Sequence, residues 1–195
     1  MKNSVTALMV TAFLLVATLL GYAQFSSSAR SIDTARSVLT MRVYKTGLFS
    51  AFAHDHEIRA PIQKGAVDEG KNTVEFSVDA RALRVLDPKV SEKDRADIQS
   101  TMLGPKVLDS QEFPEIRFRS TSIGDAGGDK WIVRGDLTLH GQTHPLKVDV
   151  TGSDGHYAGS VRLSQKDFGI TPVSIAGGSV KVKDEILVEF EIFAK

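Results

Sequence analysis

Hydrophobic and polar residues alternate along most of the chain from about residue 38 to residue 192. Leu39, Met41 and Val43, for example, are separated by Thr40 and Arg42. A repeat of two places successive side chains on opposite faces of an extended segment, which is typical of a β-strand with one buried face. Several short segments of this kind, separated by turns, predict an all-β fold.

We expect about eight strands, joined by turns rich in glycine and aspartate, such as residues 124–129 and 153–155. A further turn is expected at residues 63–65, after Pro61. Short connections favour antiparallel pairing, so we predict one domain over residues 37–195, an antiparallel β-barrel that is closed or nearly closed. The expected strands cover residues 38–44, 54–60, 73–80, 116–121, 131–140, 146–150, 159–163 and 185–192.

One segment departs from this pattern and predicts a single short helix. Ser91 is followed three residues later by Asp94, as in a capping box, and the next ten residues contain no glycine or proline. Apolar residues then recur at helical spacing as far as Leu103. We therefore expect a helix from about Glu92 to Leu103, ended by the Gly-Pro pair at 104–105.

The first 23 residues resemble an export signal. Lys2 precedes an uncharged apolar run from Val5 to Leu20, and the Gly-Tyr-Ala triplet at 21–23 suits a leader peptidase. We expect cleavage after Ala23, a flexible segment over residues 24–36, and a periplasmic mature protein with no stable membrane span. The alternative is an uncleaved membrane anchor, because the apolar run is just long enough to span a bilayer.

Charge and cysteine content exclude several classes of function. The 24 basic residues balance 24 acidic residues, which argues against a nucleic-acid partner. The chain contains no cysteine, which excludes a disulfide framework, a thiolate nucleophile and a cysteine-ligated metal. The hydrophobic content of 42% suits a packed domain without such cross-links.

The inward positions of the expected strands are almost wholly apolar, which suits a slot for a hydrophobic ligand. The alternative is a filled core in a protein that acts through its surface. If a cavity is present, we expect its wall to be drawn from Leu39, Met41, Val43, Ile58, Val74, Phe76, Ile116, Phe118, Trp131, Val133, Leu137, Leu139, Val161, Leu163, Val188 and Phe190.

The histidines offer a second hypothesis. His54 and His56 lie two apart on an expected strand and so share a face, a spacing that can hold one metal ion. His140 and His144 flank a turn and could lie near each other. A periplasmic metal-binding or redox-cofactor protein is therefore the alternative function, although no third ligand can be placed and we expect no metal cofactor.

Catalytic motifs are absent or incomplete. The Asp-Phe-Gly triplet at 167–169 lacks every other kinase signature, so we expect Phe168 to plug a barrel end and Gly169 to permit a close approach. The run at 151–155 has Thr151 where a nucleophile elbow needs glycine, and the His-Glu pair at 56–57 lacks a second histidine at residue 60. We expect no enzymatic activity.

Four segments together carry a more specific pattern. They are a Phe-Pro-x-Ile-x-Phe strand within 113–120, a Gly-x-Leu-Thr-x-x-Gly-x-Thr hairpin within 135–146, Asp-Phe-Gly-Ile at 167–170, and the closing strand from 182 to 188. In composition, order and spacing they resemble the YceI-like family of exported polyisoprenoid-binding proteins, over roughly residues 37–194. The His-x-His pair at 54–56 departs from its commoner members.

The resemblance implies a lipocalin-like antiparallel barrel with an elongated hydrophobic pocket, acting in the periplasm without catalysis. The implied partner is a hydrophobic small molecule such as an isoprenoid or a quinone-like lipid. The sequence leaves the ligand's identity and a homodimer open.

Overall fold

A computed structural model gives the structure of the protein, described here for residues 29–47, 55–175, 177 and 179–195. These residues form a single sheet of twelve strands and one α-helix, α1 (Glu92–Leu103). The strands are β1 (Ala29–Ser31), β2 (Val38–Thr46), β3 (His56–Ala60), β4 (Ile62–Asp68), β5 (Thr73–Asp79), β6 (Arg84–Val85), β7 (Glu115–Asp125), β8 (Lys130–Leu139), β9 (Gln142–Ser153), β10 (His156–Ser164), β11 (Ser174–Ile175) and β12 (Val180–Phe193).

The sheet is antiparallel throughout and curls on itself. Its hydrogen-bonded order is β1-β4-β5-β7-β8-β9-β10-β12-β2-β3-β6, with β11 attached to β12. Strands β3 and β4 lie near opposite ends of this order, yet only Pro61 separates them in the chain. The curled sheet therefore brings these two regions together at Pro61. No strand pair among the described residues closes it, so it forms a curled, partly open sheet around an interior rather than the expected barrel of about eight strands.

The strand count corrects the expected number of about eight. Proline lacks the N–H that a strand ladder uses, and here Pro61 separates β3 from β4, which bond to different neighbours. The expected turn at residues 63–65 is wrong, because these residues lie within β4. Gly65 is needed there for close packing: a Cβ atom on it would lie 2.6 Å from Ile32 Cδ1. The short strands β1, β6 and β11 are too brief to show a periodicity.

The segment before the expected domain also differs from expectation. Residues 24–36 were expected to be flexible, but in the part that is described, from residue 29, β1 pairs with β4. Ile32 is buried and bridges Ala194, the residue after β12. Burial of this isoleucine and the main-chain pairing hold the segment against the sheet.

Helix α1 has the predicted bounds. Ser91 Oγ accepts a hydrogen bond from the Asp94 backbone N–H at 3.1 Å, which satisfies one of the free donors of the first turn. Gly104 closes the helix through its N–H, bonded to the Ser100 carbonyl. Among the described residues no helix has both the length and the apolar character that a bilayer crossing requires.

The interior faces of the strands form one apolar cluster. On β8, for instance, Val133, Leu137 and Leu139 are buried, while Arg134 and Asp136 on the opposite face are exposed. Gly135 lies on the same inward face, directly beneath the ring of Phe118 on the neighbouring strand. The alternation predicted from sequence thus sorts residues between the interior and the outer surface.

Candidate ligand-binding site

The interior contains an apolar cavity of about 390 Å³, which we name the first cavity. Strands β2, β4, β5, β7, β8, β9, β10 and β12 all contribute to its wall. Eleven predicted residues line it: Leu39, Val74, Phe76, Phe118, Trp131, Val133, Leu137, Val161, Leu163, Val188 and Phe190. The structure therefore brings most of the predicted set together around one space.

The other five predicted residues lie elsewhere. Val43 and Ile58 line a second cavity, described below. Met41, Ile116 and Leu139 belong to the hydrophobic cluster but contact neither space. Because these three also point inward, alternation alone could not separate cavity wall from packed core.

Several lining residues were not predicted. Leu146, Val148 and Val150 follow the alternation of β9 and could have been included on that signal. The polar ones come from two turns, β4–β5 and β9–β10, and from the strand ends beside them, where sequence offers little periodicity. They are Asp68, Glu69, Asn72, Thr73, Ser153, Asp154 and Tyr157.

Aromatic side chains form part of the wall of the first cavity. The rings of Phe76 and Phe118 lie with centroids 5.6 Å apart on paired strands. Trp131 places its indole against the cavity and donates its Nε1–H to the Gly152 carbonyl at 2.9 Å. This bond satisfies the polar atom of the indole, so the rest of the ring presents only apolar surface.

A polar network crosses the end of the cavity between the β4–β5 and β9–β10 turns. The hydroxyl of Tyr157 donates to Glu69 Oε1 at 2.8 Å, and Arg30 on β1 contacts the same oxygen at 3.3 Å. Burial, and then the neighbouring Glu69 carboxylate, raise the pKa of Tyr157 above 10.0. The network links three separate parts of the chain at this cavity end.

The second cavity, of about 410 Å³, lies between the sheet and α1. Val43, Ile58, Ile98, Met102, Val107 and further valines form its apolar wall. Like the first cavity, it is also lined by polar and charged side chains, which here are Tyr44, Lys45, His56, Asp97, Thr101, Gln165 and Lys181.

His56 is held in place by a buried carboxylate. Its Nδ1 lies 2.6 Å from Oδ2 of Asp87, whose side chain is only 2% exposed. The other oxygen of Asp87 accepts the backbone N–H of Glu57 at 2.8 Å. Asp87 was not singled out from sequence because it lies 31 residues from His56 in a loop without a motif.

The structure gives the predicted metal pair no support. His54 lies outside the described residues, so its position relative to His56 is not addressed. Within the described part of the chain, no group of three or more His, Cys, Asp or Glu side chains is arranged to hold a metal ion.

The other expected histidine pair lies near Phe168. The Nδ1 of His140 lies 3.1 Å from the Phe168 carbonyl oxygen, and the ring of His144 contacts the Phe168 ring edge-on at 5.1 Å. Phe168 is 2% exposed, and Gly169 has a φ of 71° that glycine readily adopts. These two histidines thus contact a buried aromatic residue, and its role as a plug of the barrel end stays a prediction.

A curled antiparallel sheet around an apolar cavity is the architecture of β-barrel binding proteins. A family model described as YceI-like domain matches residues 31–194. The chain therefore belongs to the YceI-like family, which confirms the resemblance carried by its motifs.

Relatives and solved structures agree with this assignment. A UPF0312 protein of Vibrio cholerae is 34% identical over 128 residues, which cover 60% of this chain and 62% of that protein. A UPF0312 protein of Shewanella denitrificans is 32% identical over 133 residues, covering 58% and 68%. The chain thus spans less than two thirds of the length of the Vibrio cholerae relative.

Among solved structures, Burkholderia cenocepacia BcnA superimposes with a TM-score of 0.61 at 20% identity, covering 84% of this chain and 99% of that one. A Campylobacter jejuni YceI protein gives a TM-score of 0.50 at 13% identity, covering 71% and 81%. At these identities the likeness concerns the fold alone.

Proposed function

We propose that this protein binds a polyisoprenoid or similar amphiphile, with the hydrocarbon tail in the first cavity, and that it does so without catalysis. The observation that carries the proposal is the apolar wall of that cavity, drawn from eight strands and free of charged side chains except at one end. Hydrocarbon needs no directional partner, so such a wall provides affinity through exclusion of water alone.

The size of the first cavity sets a scale for the tail. At about 30 Å³ per water-sized group, 390 Å³ holds about 13 methylene-sized groups, or between two and three isoprene units. At about 0.8 kcal/mol per methylene their burial contributes about 10 kcal/mol, from which association costs of about 4 kcal/mol or more must be subtracted. A tail of this length is therefore bound at micromolar to millimolar concentrations by this cavity alone.

The first test is direct. Protein purified from its native host is extracted with organic solvent and examined by mass spectrometry, and the purified protein is titrated with a radiolabelled prenyl alcohol. A co-purifying lipid and saturable uptake support the proposal. Protein that contains no lipid and takes up no probe refutes it.

A pair of variants on one strand tests the location. Val161 lines the first cavity and is partly exposed to it, whereas Ser160 next to it is exposed on the outer face. We expect Val161→Trp to fill the cavity and weaken uptake at least tenfold, and Ser160→Trp to leave uptake unchanged. Thermal unfolding of both variants checks that each is folded.

Export to the periplasm completes the proposal. Its support is the apolar run and small-residue triplet before Gln24. N-terminal sequencing of protein from a periplasmic extract should begin at Gln24, and recovery of intact Met1 in the membrane fraction would contradict this.

A further inference from the structure

The two cavities lie next to each other along neighbouring strands. On β2, Leu39 lines the first cavity and Val43 the second, with Met41 between them on the same inward face. On the paired strand β12, Val188 lines the first cavity and Val182 the second. Met41 therefore lies among the packed side chains that separate the two cavities, although it lines neither of them. Its unbranched thioether changes rotamer more easily than a branched side chain would.

The Asp87 carboxylate determines what His56 can offer to the second cavity. A carboxylate only accepts hydrogen bonds, so the hydrogen between the two side chains resides on His56 Nδ1. In a neutral imidazole the other nitrogen, Nε2, is then a hydrogen-bond acceptor. Nε2 has no partner within the described residues, and it is not among their fully buried unpaired polar atoms. The His56 side chain is 22% exposed, and with the hydrogen on Nδ1 its Nε2 can accept a donor.

The remaining polar side chains of the second cavity suit an uncharged head group. Lys45 and Lys181 bring two positive charges and Asp97 one negative charge, so neither sign dominates strongly. Thr101 supplies a hydroxyl. Asp97, Thr101 and Lys181 are exposed, so a hydroxyl head group placed here keeps both polar partners and contact with water.

We infer that the second cavity is the head-group compartment of the ligand site, where His56, oriented by Asp87, accepts a hydrogen bond from a hydroxyl group of the bound amphiphile. This inference rests on the proposed function, because the tail is assigned to the first cavity. To reach from the second cavity into the first, the hydrocarbon tail displaces the Met41 side chain. The ligand class is thereby narrowed to hydroxyl-bearing amphiphiles with tails longer than about 13 carbons, the number that fills the first cavity.

The test compares geranylgeraniol with its methyl ether, which retains the tail and the oxygen but cannot donate a hydrogen bond. Affinities are measured by displacement of a fluorescent fatty-acid probe from the full chain. We expect the native protein to bind the alcohol about fivefold to tenfold more tightly than the ether, the effect of one hydrogen bond. In His56→Phe the ratio should fall to about one.

Asp87→Asn provides a second variant that should give the same result by a different route. The asparagine amide can donate to Nδ1, which moves the imidazole hydrogen to Nε2 and removes the acceptor. The preference for the alcohol should again disappear, although His56 itself is present. A role of Asp87 in folding alone would lower the affinity for both probes equally and leave their ratio intact.

The role of Met41 between the two cavities is tested with a matched pair of variants on β2. Met41→Trp should weaken binding of geranylgeraniol more than binding of the shorter geraniol, which fits in the first cavity alone. Thr40→Trp, on the outer face of the same strand, should change neither. Equal affinity for alcohol and ether in the native protein overturns the inference and leaves the proposed function standing. Failure to bind either long probe overturns both.

Discussion

Substitution of Gly135 by alanine tests how tightly the first cavity is built. A Cβ atom on Gly135 would lie 2.5 Å from Cζ of Phe118 and 2.5 Å from the carbonyl oxygen of Arg119. The carbonyl belongs to β7, which is hydrogen-bonded to β8, so it cannot move without disturbing the ladder. The ring of Phe118 can move only toward the cavity that it lines.

The expected magnitude follows from these contacts. Insertion of one methyl group into a well-packed interior costs about 1–3 kcal/mol of unfolding free energy. At about 2–4 °C per kcal/mol for a chain of this size, the melting temperature should fall by about 2–12 °C. Prenyl alcohol uptake should weaken as well, because the displaced Phe118 ring occupies part of the first cavity.

Gly124→Ala is the matched control. Gly124 lies on the neighbouring strand β7, and the nearest atom to an added Cβ is the Ile132 carbonyl oxygen at 4.0 Å. Because alanine restricts the unfolded chain more than glycine does, this variant should be about as stable as the native protein or up to about 1 kcal/mol more stable. Differential scanning calorimetry and urea unfolding measure both variants. Equal stability of Gly135→Ala and Gly124→Ala would refute the packing described for Phe118.

Two further predictions concern Phe168 and Tyr157. Phe168→Ala should lower the free energy of unfolding in urea by about 3–5 kcal/mol, because this side chain is 2% exposed. Leu86→Ala, at a side chain that is 40% exposed, should lower it little. Similar losses in the two variants would contradict the tight packing of Phe168. The raised pKa of Tyr157 contributes stability that is present below pH 10 and is lost as the pH rises through the pKa of the folded state. Tyr157→Phe should abolish this loss of stability and should remove the phenol titration step that occurs at the highest pH in absorbance at 295 nm. Glu69→Gln should move this titration step toward pH 10. A titration that is unchanged in Glu69→Gln would refute the contact between these two side chains.

Local signals in the sequence were sufficient for the helix and for most inward-facing residues. The bounds of α1 depend on Ser91 and Gly104, which act on backbone groups of their own turn. The faces of β7, β8 and β12 follow from alternation because each of these strands has one side toward the interior and one toward solvent. Both signals arise from neighbours within a few residues.

The errors occur where distant residues decide the structure. Gly65 reads as a turn in sequence, yet it lies inside β4 because Ile32 and Phe76 pack closely against it. Ala29 to Ser31 carries no alternation, and its strand exists because β4 offers an unpaired edge. In both cases the partner is more than ten residues away, so no local pattern could reveal it.

Alternation along the chain predicted a β-rich fold and identified the side chains that point inward. Both properties follow from the geometry of a single extended strand. Whether those side chains meet in a solid core or surround space depends on the curl of the sheet and on how Pro61 connects β3 to β4. The pairing of His56 with Asp87 likewise required the folded chain to bring a loop against β3. The cavities and their polar groups are therefore products of long-range packing, which a one-dimensional pattern does not contain.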